Sequence, residues 1–202
     1  MNKVICVYSS SSCTIDQIYF QTAEKLGKAI VGRSDILLYG GGLIGLMGAT
    51  ARAVHQTGGK VIGVIPEALN VKEVVYDSCD ELIVTEDLRT RKAVMDARSD
   101  AFIALPGGYG TLEEILEIIT LKQLAYHNKP IVILNINHFY DQLLMQFDIL
   151  IEQHFAKPEC RKLYFVTDDV NEALTYIDTY KADPIRKKWL TDVEEPVDNH
   201  PK

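Results

Sequence analysis

The stretch AFIALPGGYGTLEE, residues 101–114, passes from an apolar run through a proline and three glycines into the start of a helical pattern. Pro106 ends the strand, because proline has no N–H to donate to a sheet ladder. Gly107, Gly108 and Gly110 permit backbone conformations closed to other residues. Thr111 suits an N-cap, and Leu112, Ile115, Leu116 and Ile119 recur at helical spacing. Strand, glycine loop and helix in direct succession form the building unit of a parallel α/β sheet.

The same unit recurs on both sides. KVICVY, DILLY, KVIGVI, ELIV, AFIAL, PIVIL and LYFV read as strands, nearly continuous in apolar residues as strands covered on both faces should be. Helical periodicity occupies residues 16–31, 43–57, 88–98, 112–125 and 139–154 between them. The expected fold class is α/β, a Rossmann-like doubly wound parallel sheet flanked by helices, in a single domain over residues 1–182. Residues 183–202 lose the pattern and read as a polar C-terminal tail, with Trp189 as a packing anchor.

Composition narrows the function. The chain has 202 residues and a net charge of −7, without a basic stretch able to track a nucleic acid backbone, so nucleic acid is not an expected partner. No segment approaches the ~20 apolar residues that span a bilayer, and the N-terminal apolar run is too short for a signal peptide. A cytoplasmic protein without a membrane partner is expected. Cys6, Cys13, Cys79 and Cys160 lack ligand spacing, and the five histidines form no paired motif, so free thiols and no metal site are expected.

In open parallel sheets, ligands sit outside the carboxyl ends of the strands. Three loops stand out there. YSSSSC (8–13) offers hydroxyls to a phosphate, or is a plain loop into a helix capped by a Thr14–Gln17 box. In YGGGLIGLMG (39–48), Gly40, Gly42 and Gly45 satisfy G-x-G-x-x-G, with Glu67 downstream. This pattern fits a dinucleotide site, or glycines such as Gly41 and Gly42 that let backbone approach a ligand, or close packing alone. The third loop is the opening one, whose helix start forms an anion site.

Glu113 and Glu114 admit two readings. Thr111 and Glu114 have capping-box spacing, and acids suit a helix N-terminus; alternatively the carboxylates act in catalysis. In the preceding helix, LRTRKAVMDAR (88–98), Arg91 and Arg98 share a face about 10 Å apart along the axis. Guanidinium groups recognise phosphate and carboxylate well. The helix should run antiparallel to the strands, which puts Arg91 and Lys92 nearer the ligand edge than Arg98.

RKAVMDARSDAFIALPGGYGTLEE resembles the Lonely Guy family of cytokinin-activating phosphoribohydrolases, whose signature is P-G-G-x-G-T-x-x-E. GGGLIGLMG is similar to the family's second glycine motif. The resemblance implies hydrolysis of the N-glycosidic bond of a nucleoside 5′-monophosphate, cytokinin ribotide or AMP, to free base and ribose 5-phosphate, without a cofactor. It places the essential arginine on Arg91 and the essential glutamate on Glu114. Ligand contacts carry over to Glu73, Lys92, Gly108, Tyr109, Gly110, Thr111, Leu112, Glu113 and Thr120, with Gly107, Gly41 and Gly42 in the paired loops. Arg98 matches a supporting arginine. The resemblance also implies a homodimer with the site near the subunit interface. YSSSSC and LRTRK depart from the usual Cys-Gly-Ser-Ser and M-H-E-R-K, which bears on substrate preference. Competing expectations are a molybdenum-cofactor carrier of the same fold and an NAD-linked oxidoreductase built on Gly40, Gly42 and Gly45. A lysine decarboxylase would need a Schiff-base lysine, and Lys92 beside two arginines does not suit it.

Overall fold

The computed structural model describes residues 2–182; the expected tail and Trp189 lie outside the described residues. Seven parallel strands form one sheet: β1 (Val4–Tyr8), β2 (Ile36–Tyr39), β3 (Val61–Pro66), β4 (Glu81–Thr85), β5 (Ala101–Ala104), β6 (Ile131–Leu134) and β7 (Phe165–Thr167). Among the described residues six α-helices accompany the sheet: α1 (Gln17–Gly32), α2 (Gly45–Gln56), α3 (Leu88–Arg98), α4 (Tyr109–Gln123), α5 (Asp141–Glu152) and α6 (Val170–Thr179). This is the expected doubly wound α/β architecture, with every expected strand present.

The spatial order is β4-β3-β2-β1-β5-β6-β7. From β1 the chain winds outward through β2, β3 and β4. It then returns to the other side of β1 and winds through β5, β6 and β7. The order therefore reverses between β1 and β5, which pair with Val7 opposite Ile103 and Tyr8 opposite Ala104. A crevice opens above their carboxyl ends, where such sheets bind ligands.

Alternation along the strands builds two cores. Ile5 and Val7 of β1, with Ala101 and Ile103 of β5, point to the layer of α1, α2 and α6. Cys6 and Tyr8, with Phe102 and Ala104, point to Met95 of α3 and to Ile115 and Ile118 of α4. All of these side chains are essentially buried. The edge strands β4 and β7 are less fully buried, and in β4 Glu81 and Val84 are exposed.

Two helix starts differ from the sequence expectation. α1 begins after Asp16, not at a Thr14–Gln17 capping box; Thr14 instead takes part in a serine turn, its N–H donating to Ser12 Oγ at 3.3 Å. α4 begins three residues before the expected Leu112, with Gly108 at its N-cap. The helix thus extends back through Tyr109 and Gly110 into the glycine loop, although glycine is a poor helix former.

Candidate active site

The early start of α4 settles what Glu114 is not. Thr111 is the third residue of the helix, buried, with its hydroxyl over Gly107; a Cβ on Gly107 would lie 2.1 Å from Thr111 Oγ1. Glu114 is the sixth residue, beyond the reach of a capping box. Of the two readings of Glu114, the Thr111–Glu114 capping box is therefore absent. Gly108 supplies no side-chain bond either, so the N-terminus of α4 has no side-chain cap, a geometry that suits an anion.

Glu114 turns inward to Arg91. Arg91 Nη1 donates to Glu114 Oε1 at 2.7 Å, and both side chains are nearly buried, 11% and 12% exposed. Arg91 Nε donates to the Val64 carbonyl of β3 at 2.9 Å. Gly40 makes room for the guanidinium: a Cβ there would lie 2.1 Å from Arg91 Nη2. Among the described residues Nη2 makes no hydrogen bond. The loop after β2, strand β3 and helix α4 thus converge on one cation of α3.

Burial pushes the Glu114 carboxyl above its ordinary 4.5, and the adjacent Arg91 opposes that rise. Cys6 and Tyr8 lie near it on the sheet. Burial pushes the Cys6 thiol up to about 12 and raises the Tyr8 phenol as well. Both stay neutral at physiological pH, so Arg91 is the charge that balances Glu114.

Lys92 pairs with other carboxylates of α4. Its ammonium is paired with Glu113 and, at 2.7 Å, with Glu117, on the outer side of α4. Burial would lower the Lys92 pKa, but the hydrogen bonds to the two glutamates raise it. An ammonium held charged in this way is the opposite of what a Schiff-base lysine needs. Arg98 lies at the other end of α3, where its fork holds the exposed Glu81 carboxylate at 3.0 and 2.7 Å. Glu81 begins β4, so Arg98 belongs to the amino edge of the sheet and not to the crevice. Thr120 is one to two turns beyond Glu114 on α4, its hydroxyl donating to the Leu116 carbonyl at 2.8 Å.

The G-x-G-x-x-G loop is occupied by protein contacts. Leu46 and Met47, at the start of α2, donate to the Ser10 carbonyl at 2.9 and 3.3 Å. The helix N-terminus that would hold a pyrophosphate is therefore already in use. Gly45, at φ +63°, lets Ser10 and Ser11 pack there; a Cβ would lie 2.4 Å from the Ser11 carbonyl carbon. Gly41 and Gly42 instead join the loop after β3. The Tyr76 N–H donates to Gly41 O at 2.8 Å, and Gly42 bridges Val75. That contact brings the exposed Glu73 segment alongside the glycine loop.

Lys122 is a functional-type residue that the sequence reading did not single out. It is 1% exposed, and its Nζ has no hydrogen-bond partner among the described residues. Burial pushes the amine down to about 8, and it lies 4.7 Å from the Tyr180 ring centre. Eight residues beyond Glu114 on one helix, it is about 12 Å away along the axis and outside the crevice. A buried lysine facing an aromatic leaves no signal in an isolated helical pattern. Among the described residues, no group of three or more His, Cys, Asp or Glu is arranged to hold a metal ion. No helix there is long and apolar enough to cross a membrane.

Residues 47–177 match the family model described as possible lysine decarboxylase. A cytokinin riboside 5′-monophosphate phosphoribohydrolase of Arabidopsis thaliana is 41% identical over 197 residues, covering 96% of this chain and 86% of that protein. A probable enzyme of the same name from Oryza sativa subsp. japonica is 43% identical over 176 residues, covering 87% of this chain and 72% of that one. Two solved structures share the fold at lower identity. The molybdenum cofactor binding protein from Rippkaea orientalis is 21% identical with a TM-score of 0.68, covering 88% of this chain and 96% of that one. The Chlamydomonas reinhardtii Moco carrier protein is 24% identical with a TM-score of 0.66 and the same coverage. Those two establish architecture only. The chain belongs to the family that this model describes, alongside the plant cytokinin riboside 5′-monophosphate phosphoribohydrolases.

Proposed function

We propose that the protein is a nucleoside 5′-monophosphate phosphoribohydrolase. It cleaves the N-glycosidic bond of cytokinin ribotides or AMP to free base and ribose 5-phosphate. The observation that carries this reading is the nearly buried Arg91–Glu114 pair below an open helix N-terminus at the sheet's switch point. The names of the plant relatives support the same reaction.

The division of labour follows from the geometry. The N–H groups at the start of α4, from Gly108 to Thr111, bind the 5′-phosphate, with the uncommitted Nη2 of Arg91 as a second anchor. Glu114 faces the ribose. Its carboxylate stabilises the oxocarbenium-like charge that grows as the base leaves, and orients or deprotonates the attacking water. Burial makes it a stronger base than an exposed glutamate, while Arg91 keeps it ionised.

Glu73 contacts the ribose hydroxyls or the base, and Gly107, Tyr109, Leu112, Gly41 and Gly42 shape the walls. Glu113 is available to ligand only after release from Lys92. Thr120 lines the outer face of α4 with the half-exposed Leu116, a face suited to a second subunit. We extend the proposal to a cytoplasmic homodimer on the family resemblance.

The test is incubation of the purified protein with AMP and, separately, with isopentenyladenosine 5′-monophosphate, with chromatography of the products. Equimolar free base and ribose 5-phosphate are expected, and the ratio of rates measures the contribution of the prenyl group. Binding of AMP without release of base would replace this reading with a carrier of nucleotide-like ligands.

A further inference from the structure

The loop after β3 is short of its own supports, since residues 70–73 are exposed and only Val75 is buried within 70–80. It is held by the glycine loop and by α2. The Leu43 N–H donates to Val74 O at 2.8 Å and the Tyr76 N–H donates to Gly41 O at 2.8 Å, on either side of the Gly42–Val75 bridge. Glu73 is therefore the residue directly before a fixed segment.

Arg52 and His55 of α2, three residues apart and so on one helix face, fasten the two loops from beneath. Arg52 Nη1 donates to Leu43 O at 2.8 Å. His55 Nδ1 is 2.9 Å from the Tyr76 hydroxyl, and His55 Nε2 is 3.0 Å from Asp80 Oδ2. Asp80 also accepts from the Val61 N–H at 2.8 Å, and these bonds hold its carboxyl below the ordinary range. An ionised Asp80 only accepts, so Nε2–H donates to it, and in the neutral ring Nδ1 then accepts from the tyrosine hydroxyl. Gly48 is bare to allow this: a Cβ there would lie 1.8 Å from Leu43 O and 2.6 Å from Arg52 Nη1.

We propose that Tyr76, oriented by His55 and Asp80, is a positioning residue that fixes the Glu73 loop against the glycine loop for substrate binding. The inference rests on the phosphoribohydrolase reading, in which Glu73 touches the ribose or base. Tyr76 acts through Glu73 and does not itself touch substrate. Loss of its hydroxyl frees the loop without disturbing Arg91 or Glu114, so binding weakens while chemistry on bound substrate continues.

The experiment compares wild type, Tyr76→Phe, Glu73→Ala and the double variant for AMP cleavage and, by calorimetry, for AMP binding. Tyr76→Phe is expected to raise KM and the AMP Kd about three- to tenfold, the range of one lost hydrogen bond, with kcat within about twofold. His55→Gln, which cannot serve Tyr76 and Asp80 together, is expected to reproduce the KM rise. In the Glu73→Ala background Tyr76→Phe should add nothing further. An unchanged KM and Kd in Tyr76→Phe, or the same rise with and without Glu73, would overturn the proposal. A fall in melting temperature with fewer active molecules and normal KM would overturn it too, by making the contact structural only. Failure of the wild type to release base sinks the hydrolase reading alone, because the calorimetric comparison still decides the role of Tyr76.

Discussion

Glu114→Gln separates the two roles that a carboxylate on α4 can have. The substitution keeps size, and the amide oxygen still accepts the 2.7 Å bond from Arg91. What disappears is the charge. A proton-transferring or charge-stabilising group contributes roughly 10²–10⁴-fold, or about 3–5 kcal/mol of barrier at 1.36 kcal/mol per decade. Stability should change little. The Glu114 pKa is raised in the folded state, so its ionised form costs stability as pH climbs past the unfolded value near 4.5. Glutamine removes that cost but leaves Arg91 without a counter-charge, and we expect the two to offset to within about 1 kcal/mol. The assay is adenine release at saturating AMP, with AMP binding by calorimetry and a thermal melt. Binding and melt near wild type, with turnover down at least about 100-fold, is the expected outcome. Turnover within about tenfold of wild type would refute the catalytic assignment. The same assignment requires the acid limb of kcat/KM in the wild type to lie above pH 4.5, and full activity at that pH would count against it.

Gly40→Ala places a methyl 2.1 Å from Arg91 Nη2, so the guanidinium must leave its seat. We expect activity to fall about 100-fold and stability by about 1–3 kcal/mol, read by base release and melting. Arg98→Ala removes an exposed fork on Glu81 at the far edge of the sheet. KM should stay within about twofold and stability should drop by less than about 1 kcal/mol; a large KM rise would return Arg98 to the substrate. Lys122→Met should stabilise the protein by about 2 kcal/mol at pH 7, where the folded state must hold a buried ammonium or give up its proton. Because the folded amine titrates at about 8 and the unfolded one at 10.5, the gain should shrink as pH rises between those values. Denaturant melts at pH 7 and 10 check the sign.

Strand positions were legible because parallel strands, buried on both faces, write long apolar runs into the sequence; PIVIL and KVIGVI are examples. Helix ends were less so. Thr111 has the composition of a cap, but the glycines before it let α4 start at Tyr109 and turned Thr111 into a packing residue over Gly107. Periodicity placed Arg91 and Arg98 on one face. It could not show that Arg98 ends beside Glu81, because that pairing depends on where β4 starts in three dimensions. The dinucleotide pattern was also real as spacing. The Ser10 carbonyl that occupies the start of α2 comes from a different loop, which a local motif does not record.

The seat of Arg91 bears on how the enzyme comes into being as a chain. Its two hydrogen bonds reach 27 residues back to Val64 and 23 residues forward to Glu114, while its free nitrogen rests against Gly40. None of these contacts is local, so no helix or hairpin forming alone can assemble it. Each waits for loop closure and for the central strands to dock side by side. Renaturation should therefore restore helix content before it restores turnover, with activity returning only as the β3-β2-β1-β5 centre closes.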